Sequence, residues 1–223
     1  MLKDKSIYRE GKPSVFYRIK QKTLSKLSVR GRKALNTELH NNLSSKEFSI
    51  IASFCGGGTL YHDAGMQFLS PTINLAFDGE DFIKFVGNLK LYLQTELEEY
   101  KTEEVSYPVG RLQDVEIRFV HYHTFDEAAR KWKERSKRIN FDNIIIMATD
   151  RDGMGTAECM AAFDKLPYKK VMFTSTPHPE YSWAVFCPCF KGQKSVGTMT
   201  GIADISGHRY YEKYLDILSF ICG

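Results

Sequence analysis

The sequence predicts a three-layer α/β fold: a mostly parallel, doubly wound sheet with helices on both faces, preceded by a basic helical N-terminal arm. Three observations predict it. Residues 144–147, Ile-Ile-Ile-Met, form a continuous apolar run typical of a central parallel strand, which is buried on both faces. From residue 47 onward, short apolar runs alternate with helical segments, the order expected when helices cover a parallel sheet. Residues 1–46 carry 12 Lys or Arg against Asp4, Glu10 and Glu38, a balance of +9, while the rest of the chain stands at −5.

In the arm, Gly11, Pro13 and Ser14 open a stretch where Val15, Phe16, Ile19, Leu24 and Leu27 interleave with Arg18, Lys20, Lys22 and Lys26, the pattern of an amphipathic helix. Gly31 is expected to interrupt it. Ala34, Leu35 and Leu39 then form a second helical turn before Ser44 and Ser45. Residues 47–223 form a single domain. Its elements are expected to be a buried strand over 48–54, a tight turn over 55–58, a helix over 59–66 and a strand over 72–77. A helix over 81–98 places Phe82, Phe85, Val86, Leu89, Leu93 and Leu97 on one side. Strands follow over 107–112 and 115–121. Thr124 and Glu127 match a capping box, opening a charged helix that runs to about Arg138. Beyond the central strand, 143–149, come a helix over 156–166 and strands over 170–175 and 183–187. A Gly, Ser and Thr-rich loop over 191–207 and an amphipathic helix over 208–221 complete the chain.

At 223 residues, with 43% hydrophobic and 26% charged residues, the composition is that of a globular domain with a core of its own, not of a disordered tail or a disulfide-stapled scaffold. No run approaches the roughly 20 apolar residues of a membrane span; residues 49–61 come nearest and carry three glycines. No apolar segment follows the opening charges, so no secretory signal is expected. The five cysteines (Cys55, Cys159, Cys187, Cys189 and Cys222) lack zinc spacing and suit a reducing compartment. A cytoplasmic protein is expected, its arm in peripheral contact with anionic membrane, and with no nucleic-acid partner.

In open α/β sheets ligands bind beyond the carboxyl ends of the strands, so the loops there are the candidates. The first, after residue 54, carries Cys55, Gly56, Gly57 and Gly58. Its backbone amides at a helix start favour an anion. Tyr61 stands where a dinucleotide fingerprint needs its third glycine, and no Gly-Lys-Ser/Thr follows as in a P-loop. His62, a turn further on, is the candidate general base, with Asp63 beside it. Cys55 sits where a helix amino terminus lowers a thiol pKa. Asp150 and Asp152, spaced D-x-D after the central strand, suit a divalent Mg or Mn bridging a nucleotide-sugar diphosphate, and equally suit a helix cap or a turn. His121 and His123 flank Tyr122 without a third ligand, Cys187 and Cys189 lack a second pair, and His178 lies between Pro177 and Pro179. No metal site is expected from these. Arg135, Lys137 and Arg138 read as a solvated helix face.

Taken in order, FCGGGTLYHDAG, LSPTINLAF, DFIKFVGNLKLYL and YPVGRLQDVEIRFVHYHTFDEAARKWKERSKRINFDNI resemble a bacterial family catalogued as a domain of unknown function. Its members are commonly labelled exopolysaccharide or capsule biosynthesis proteins, some as acetyltransferases. The resemblance covers about residues 47–190. Of the family's Asn-Cys-Trp-Gly-Gly with Tyr three residues on, Cys55, Gly57, Gly58 and Tyr61 match, and Phe54 and Gly56 depart. Ser70-Pro71, Tyr107-Pro108, Gly110-Arg111, Trp132, Arg135 and Arg138 also match. The resemblance implies a three-layer α/β fold and a role in surface polysaccharide assembly at the cytoplasmic side. The expected function is a sugar-modifying transferase, an O-acetyltransferase using acetyl-CoA, although hexapeptide repeats and a Gly-x-Ser-x-Gly elbow are absent. Its acceptor would be a sugar or lipid-linked oligosaccharide. His62 would deprotonate the acceptor hydroxyl and Asp150 or Asp63 would orient it, with Cys55, the three glycines, Tyr61, Arg111, Asp152 and His178 contacting donor or substrate. The alternatives are a metal-dependent glycosyltransferase and a non-catalytic assembly factor that binds through the arm.

Overall fold

A computed structural model describes residues 15–223; the opening Gly11, Pro13 and Ser14 lie outside the described residues. Two helices, α1 (Val15–Leu27) and α2 (Val29–Leu43), lead into strand β1 (Ser49–Ala52) and helix α3 (Gly56–Asp63). Helices α4 (Gly79–Gly87) and α5 (Leu89–Gln94) follow, then strands β2 (Glu98–Glu99), β3 (Val109–Leu112) and β4 (Val115–Arg118), and helix α6 (Phe125–Ser136). The second half runs β5 (Ile144–Thr149), α7 (Ala157–Asp164), β6 (Lys169–Thr174), β7 (Ala184–Phe186), α8 (Tyr210–Tyr214) and α9 (Ile217–Cys222).

The main sheet is parallel throughout, in the order β1-β5-β6-β7. Side-chain alternation along its strands divides the interior into two cores. On one face Ile51, Ile144, Ile146, Ala148 and Met172 meet Phe82 and Phe85 of α4, Trp132 of α6 and Phe163 of α7. On the other, Ile50, Ala52, Ile145, Met147, Val171 and Phe173 meet Leu39 and Leu43 of α2, Leu60 and Tyr61 of α3, Tyr211 of α8 and Ile217 of α9. Helices therefore cover both faces, giving the expected three layers.

β1 is an edge strand, and side chains cap its outward amides. The Ile50 amide donates to the Tyr61 hydroxyl at 2.9 Å and the Ala52 amide to Thr72 Oγ1 at 3.0 Å. An edge whose amides are already paired offers no template for another strand.

Several elements differ from the sequence expectation. Residues 72–77 form no strand; only Ala76 bridges Arg118, because Thr72 is turned in to cap β1 and Asn74 adopts φ 64°. The helix expected over 81–98 breaks at Asn88, with φ −131° and ψ 44°. The expected C-terminal helix is two helices, because Leu215 is extended and Asp216 caps α9 by accepting from the Ser219 amide. β3 and β4 are joined by the two residues Gln113 and Asp114, and so short a connection makes an antiparallel hairpin. With β2 it forms a separate three-stranded sheet. The expected capping box is half present: Thr124 Oγ1 accepts from the Glu127 amide and caps α6.

The segment read as an arm is docked to the body. Gln21 exchanges two hydrogen bonds with the backbone of Ile202, at 2.9 and 3.0 Å, and Leu39 and Leu43 are buried in the second core. Gly31 lies within α2, where a side chain would collide with the Ser206 carbonyl. No helix among the described residues is long and apolar enough to cross a membrane.

Candidate functional site

Parallel strands deliver their loops to one edge, and here the loop after β5 organises the rest. Asp150, the first residue past β5, is buried. Its Oδ2 accepts from the amide and hydroxyl of Ser175, at 2.7 and 2.8 Å, and its Oδ1 from the Val196 amide at 2.7 Å. One carboxylate thus ties the loop after β5 to the loop after β6 and to the long segment after β7.

Arg151 to Met154 then form a tight turn. The Met154 amide donates to the Arg151 carbonyl at 2.9 Å, and Asp152 and Gly153 have φ 54° and 88°. Two successive positive φ values mark a type I′ turn, for which Asp-Gly is a favoured pair. The Asp152 carbonyl accepts from the Gly79 amide at 2.7 Å, fixing the start of α4 against the turn, and Thr156 Oγ1 caps α7 by accepting from the Cys159 amide.

Above the turn lies a cleft of about 360 Å³, lined by Asp150, Arg151, Asp152, Thr156, Lys194 and Ser195 among others. Lys194 and Ser195 are there because the next residue, Val196, is held by Asp150. Two cations, Arg151 and Lys194, therefore converge beside the amino terminus of α7, and the field of a helix start favours an anion.

Among the expected site residues, Asp150 and Asp152 line this cleft. Cys55 is near it: burial pushes its thiol pKa up, while the Arg151 guanidinium pulls it down. A thiol held protonated is a weak nucleophile. Gly56, Gly57 and Gly58 are the first three residues of α3 rather than a loop, so their amides have no acceptor within the helix. Gly56 and Gly57 are buried, and a side chain at Gly56 would run into the Phe54 ring.

Other expected residues lie elsewhere. Tyr61 is fully buried, stacked on Phe48 and bonded to β1, and belongs to the core. The His62 side chain is 79% exposed at the far end of α3, about 9 Å along the helix from its start. Asp63 beside it is buried; both its oxygens accept from Arg209, at 2.5 and 2.9 Å, and its Oδ1 lies 3.5 Å from His62 Nδ1. Removing either partner of such a pair typically costs about 3–5 kcal/mol, so Asp63 pins the C-terminal segment to α3. Arg111 lies over the Tyr100 ring on the small sheet, 3.5 Å from its centroid. His178, in the loop after β6, contacts Glu180 at 3.1 Å. His121 and His123 are both exposed, and among the described residues no three His, Cys, Asp or Glu side chains gather as a metal site.

Sequence reasoning missed Arg151 and Lys194. Arg151 stands in plain view inside Asp-Arg-Asp-Gly, between the two carboxylates that drew attention. Lys194 carries no local signal, because its place depends on the bond between Asp150 and Val196.

An uncharacterized protein of Haemophilus influenzae is 38% identical over 195 residues, which is 87% of this chain and 94% of the relative. The family model described as "Domain of unknown function (DUF1919)" matches residues 27–222, from the last residue of α1 to the end of α9. The chain belongs to the DUF1919 family.

Proposed function

We propose that the protein is a sugar-modifying transferase of surface polysaccharide assembly, an O-acetyltransferase that holds acetyl-CoA through its phosphates in the cleft beyond β5. The polysaccharide setting rests on the resemblance of the sequence to proteins so labelled. The donor chemistry rests on one observation: Arg151 and Lys194 converge on a cleft at the carboxyl edge of the sheet. A volume of about 360 Å³ suits the phosphate portion of a donor, whose remainder would extend into solvent. Asp150 favours acetyl-CoA over a metal-bridged nucleotide sugar, since both its oxygens already accept protein hydrogen bonds and the Asp152 backbone is committed to a turn.

In this scheme Asp152 takes the role first considered for His62. It accepts the proton of the acceptor hydroxyl as the new O–C bond forms at the acetyl carbon and the C–S bond breaks, and the proton departs on the coenzyme A thiol. Exposed Ile19, Leu27 and Val29 beside Lys20, Lys26 and Arg30 support peripheral contact of the N-terminal helices with anionic membrane at the cytoplasmic side, where a lipid-linked acceptor would be met.

Calorimetric titration with acetyl-CoA and with a uridine-diphosphate sugar tests the proposal. Acetyl-CoA is expected to bind, and Arg151→Ala or Lys194→Ala to weaken it about 10-fold each, as loss of a charge-assisted hydrogen bond implies. Equal binding by the variants, or preference for the nucleotide sugar only when manganese is present, would reject this reading.

A further inference from the structure

The break at Asn88 separates α5 from the line of α4, and between α5 and the C-terminal half of α6 lies a cavity of about 820 Å³, more than twice the carboxyl-edge cleft. It lies toward the opposite end of the sheet. α4 begins at Gly79 against the turn after β5 and ends at Gly87 beside Leu166, just past the end of α7. Leu93, Leu97, Trp132 and Phe141 supply its apolar surface; Lys90, Lys133 and Lys137 stand around it, with Glu96 the acidic residue among its lining. No carboxylate among the described residues lies within ion-pair distance of these three lysines. Lys90 instead lies over the Phe141 ring, 5.4 Å from its centroid.

We propose that this cavity binds a single-chain amphiphilic anion, an alkyl phosphate, with its hydrocarbon against Leu93, Leu97 and Trp132 and its phosphate among the lysines. The two halves of the cavity select the two halves of the ligand. The apolar surface gains by covering hydrocarbon, and the lysine stems extend that surface while their ammonium groups stay at its margin. Three lysines with no ion-pair partner among the described residues, against one acid in the lining, attract the phosphate. The volume lies within the range of small-ligand cavities. This site is independent of the function proposed above, because the cavity and the cleft share no residue.

Trp132 lines the cavity and supplies the readout. In a Trp183→Phe background it is the sole tryptophan. Titration with dodecyl phosphate below its micellar concentration is expected to give a saturable change in Trp132 emission. Inorganic phosphate and dodecanol are expected to bind at least about 10-fold more weakly, since each supplies half of the contacts. Lys133→Glu with Lys137→Glu is expected to weaken dodecyl phosphate by a similar factor, and Ala129→Phe, which fills the cavity from α6, to abolish its binding, with far-UV circular dichroism unchanged. A signal that never saturates, dodecanol binding as tightly as the phosphate, or charge-reversed protein binding as tightly as wild type would overturn the proposal.

Discussion

Asp150→Asn separates an organising role for this residue from a chemical one. The carboxylate accepts three hydrogen bonds in a buried setting. An amide of the same shape keeps one acceptor. Its best orientation turns that oxygen to Ser175, where it keeps two bonds, and leaves its NH₂ facing the Val196 amide, donor against donor. One charge-assisted bond is lost and one buried amide is orphaned, a cost of about 2–3 kcal/mol. For a domain of this size that lowers the melting temperature by about 4–12 °C. Thermal unfolding by circular dichroism measures the loss, and hydrogen exchange locates it: the Val196 amide should lose protection more than the Ser175 amide. Asp152→Asn serves as the comparison, because its turn is held by the backbone, and about 0.5 kcal/mol or less is expected. If Asp150→Asn melts with wild type, or if Asp152→Asn is the more damaging of the two, the carboxylate does not organise the cleft and the placement of Lys194 loses its cause.

Tyr61→Phe removes the acceptor of the Ile50 amide at the edge strand, which should cost about 1–3 kcal/mol in denaturant unfolding with unchanged donor affinity; an unchanged unfolding midpoint would contradict the edge-capping role. Gly79→Ala places a methyl carbon 2.6 Å from the Met154 amide nitrogen, between two backbones that cannot both stay; a loss of about 1–3 kcal/mol and weaker binding in the cleft are expected by unfolding and calorimetry. Alkaline stability reports on Cys187, whose thiol pKa burial pushes up to about 12. The unfolded thiol releases its proton near pH 9 while the native one keeps it, so between about pH 9 and about pH 12 the native state binds more protons and stability falls as pH rises. Urea midpoints taken from about pH 9 to about pH 10 should fall less steeply in Cys187→Ala, and an equal slope would count against the burial of this thiol.

How far each element was legible depended on where its determinants lie. Residues 144–147 announced a doubly buried strand because four successive apolar residues leave no face for water, and β5 is the inner strand they described. Thr124 announced the start of α6 because a cap is satisfied three residues away. Residues 72–77 carried the composition of a strand, yet Thr72 is spent on capping β1, twenty residues earlier in the chain. The apolar stripe over 81–98 was real, since Phe82, Phe85, Val86 and Leu89 are buried in one core, but the stripe is the same whether the helix is straight or broken. Asn88 carried the break, and a single asparagine is a weak signal.

The same distinction explains the site. The sequence pointed first to the glycine turn after β1 and also to the loop after β5, because a strand that must be central makes its carboxyl end a place where loops meet. The roles within that loop depended on pairings that local spacing does not encode. Two aspartates at D-x-D spacing look alike in sequence, yet Asp150 is consumed by partners 25 and 46 residues further on, while Asp152 forms the corner of a turn. His62 and Asp63 likewise look like a base and its orienter. Arg209, 146 residues away, donates to both oxygens of Asp63, so the carboxylate that lies 3.5 Å from His62 Nδ1 is already engaged, and the imidazole itself faces solvent. A carboxylate adjacent in sequence to a candidate base is therefore weak grounds for a catalytic pair until its remaining lone pairs are accounted for. In this chain that accounting is what leads the proposed function to rest on the two cations beyond β5 rather than on the helix after β1.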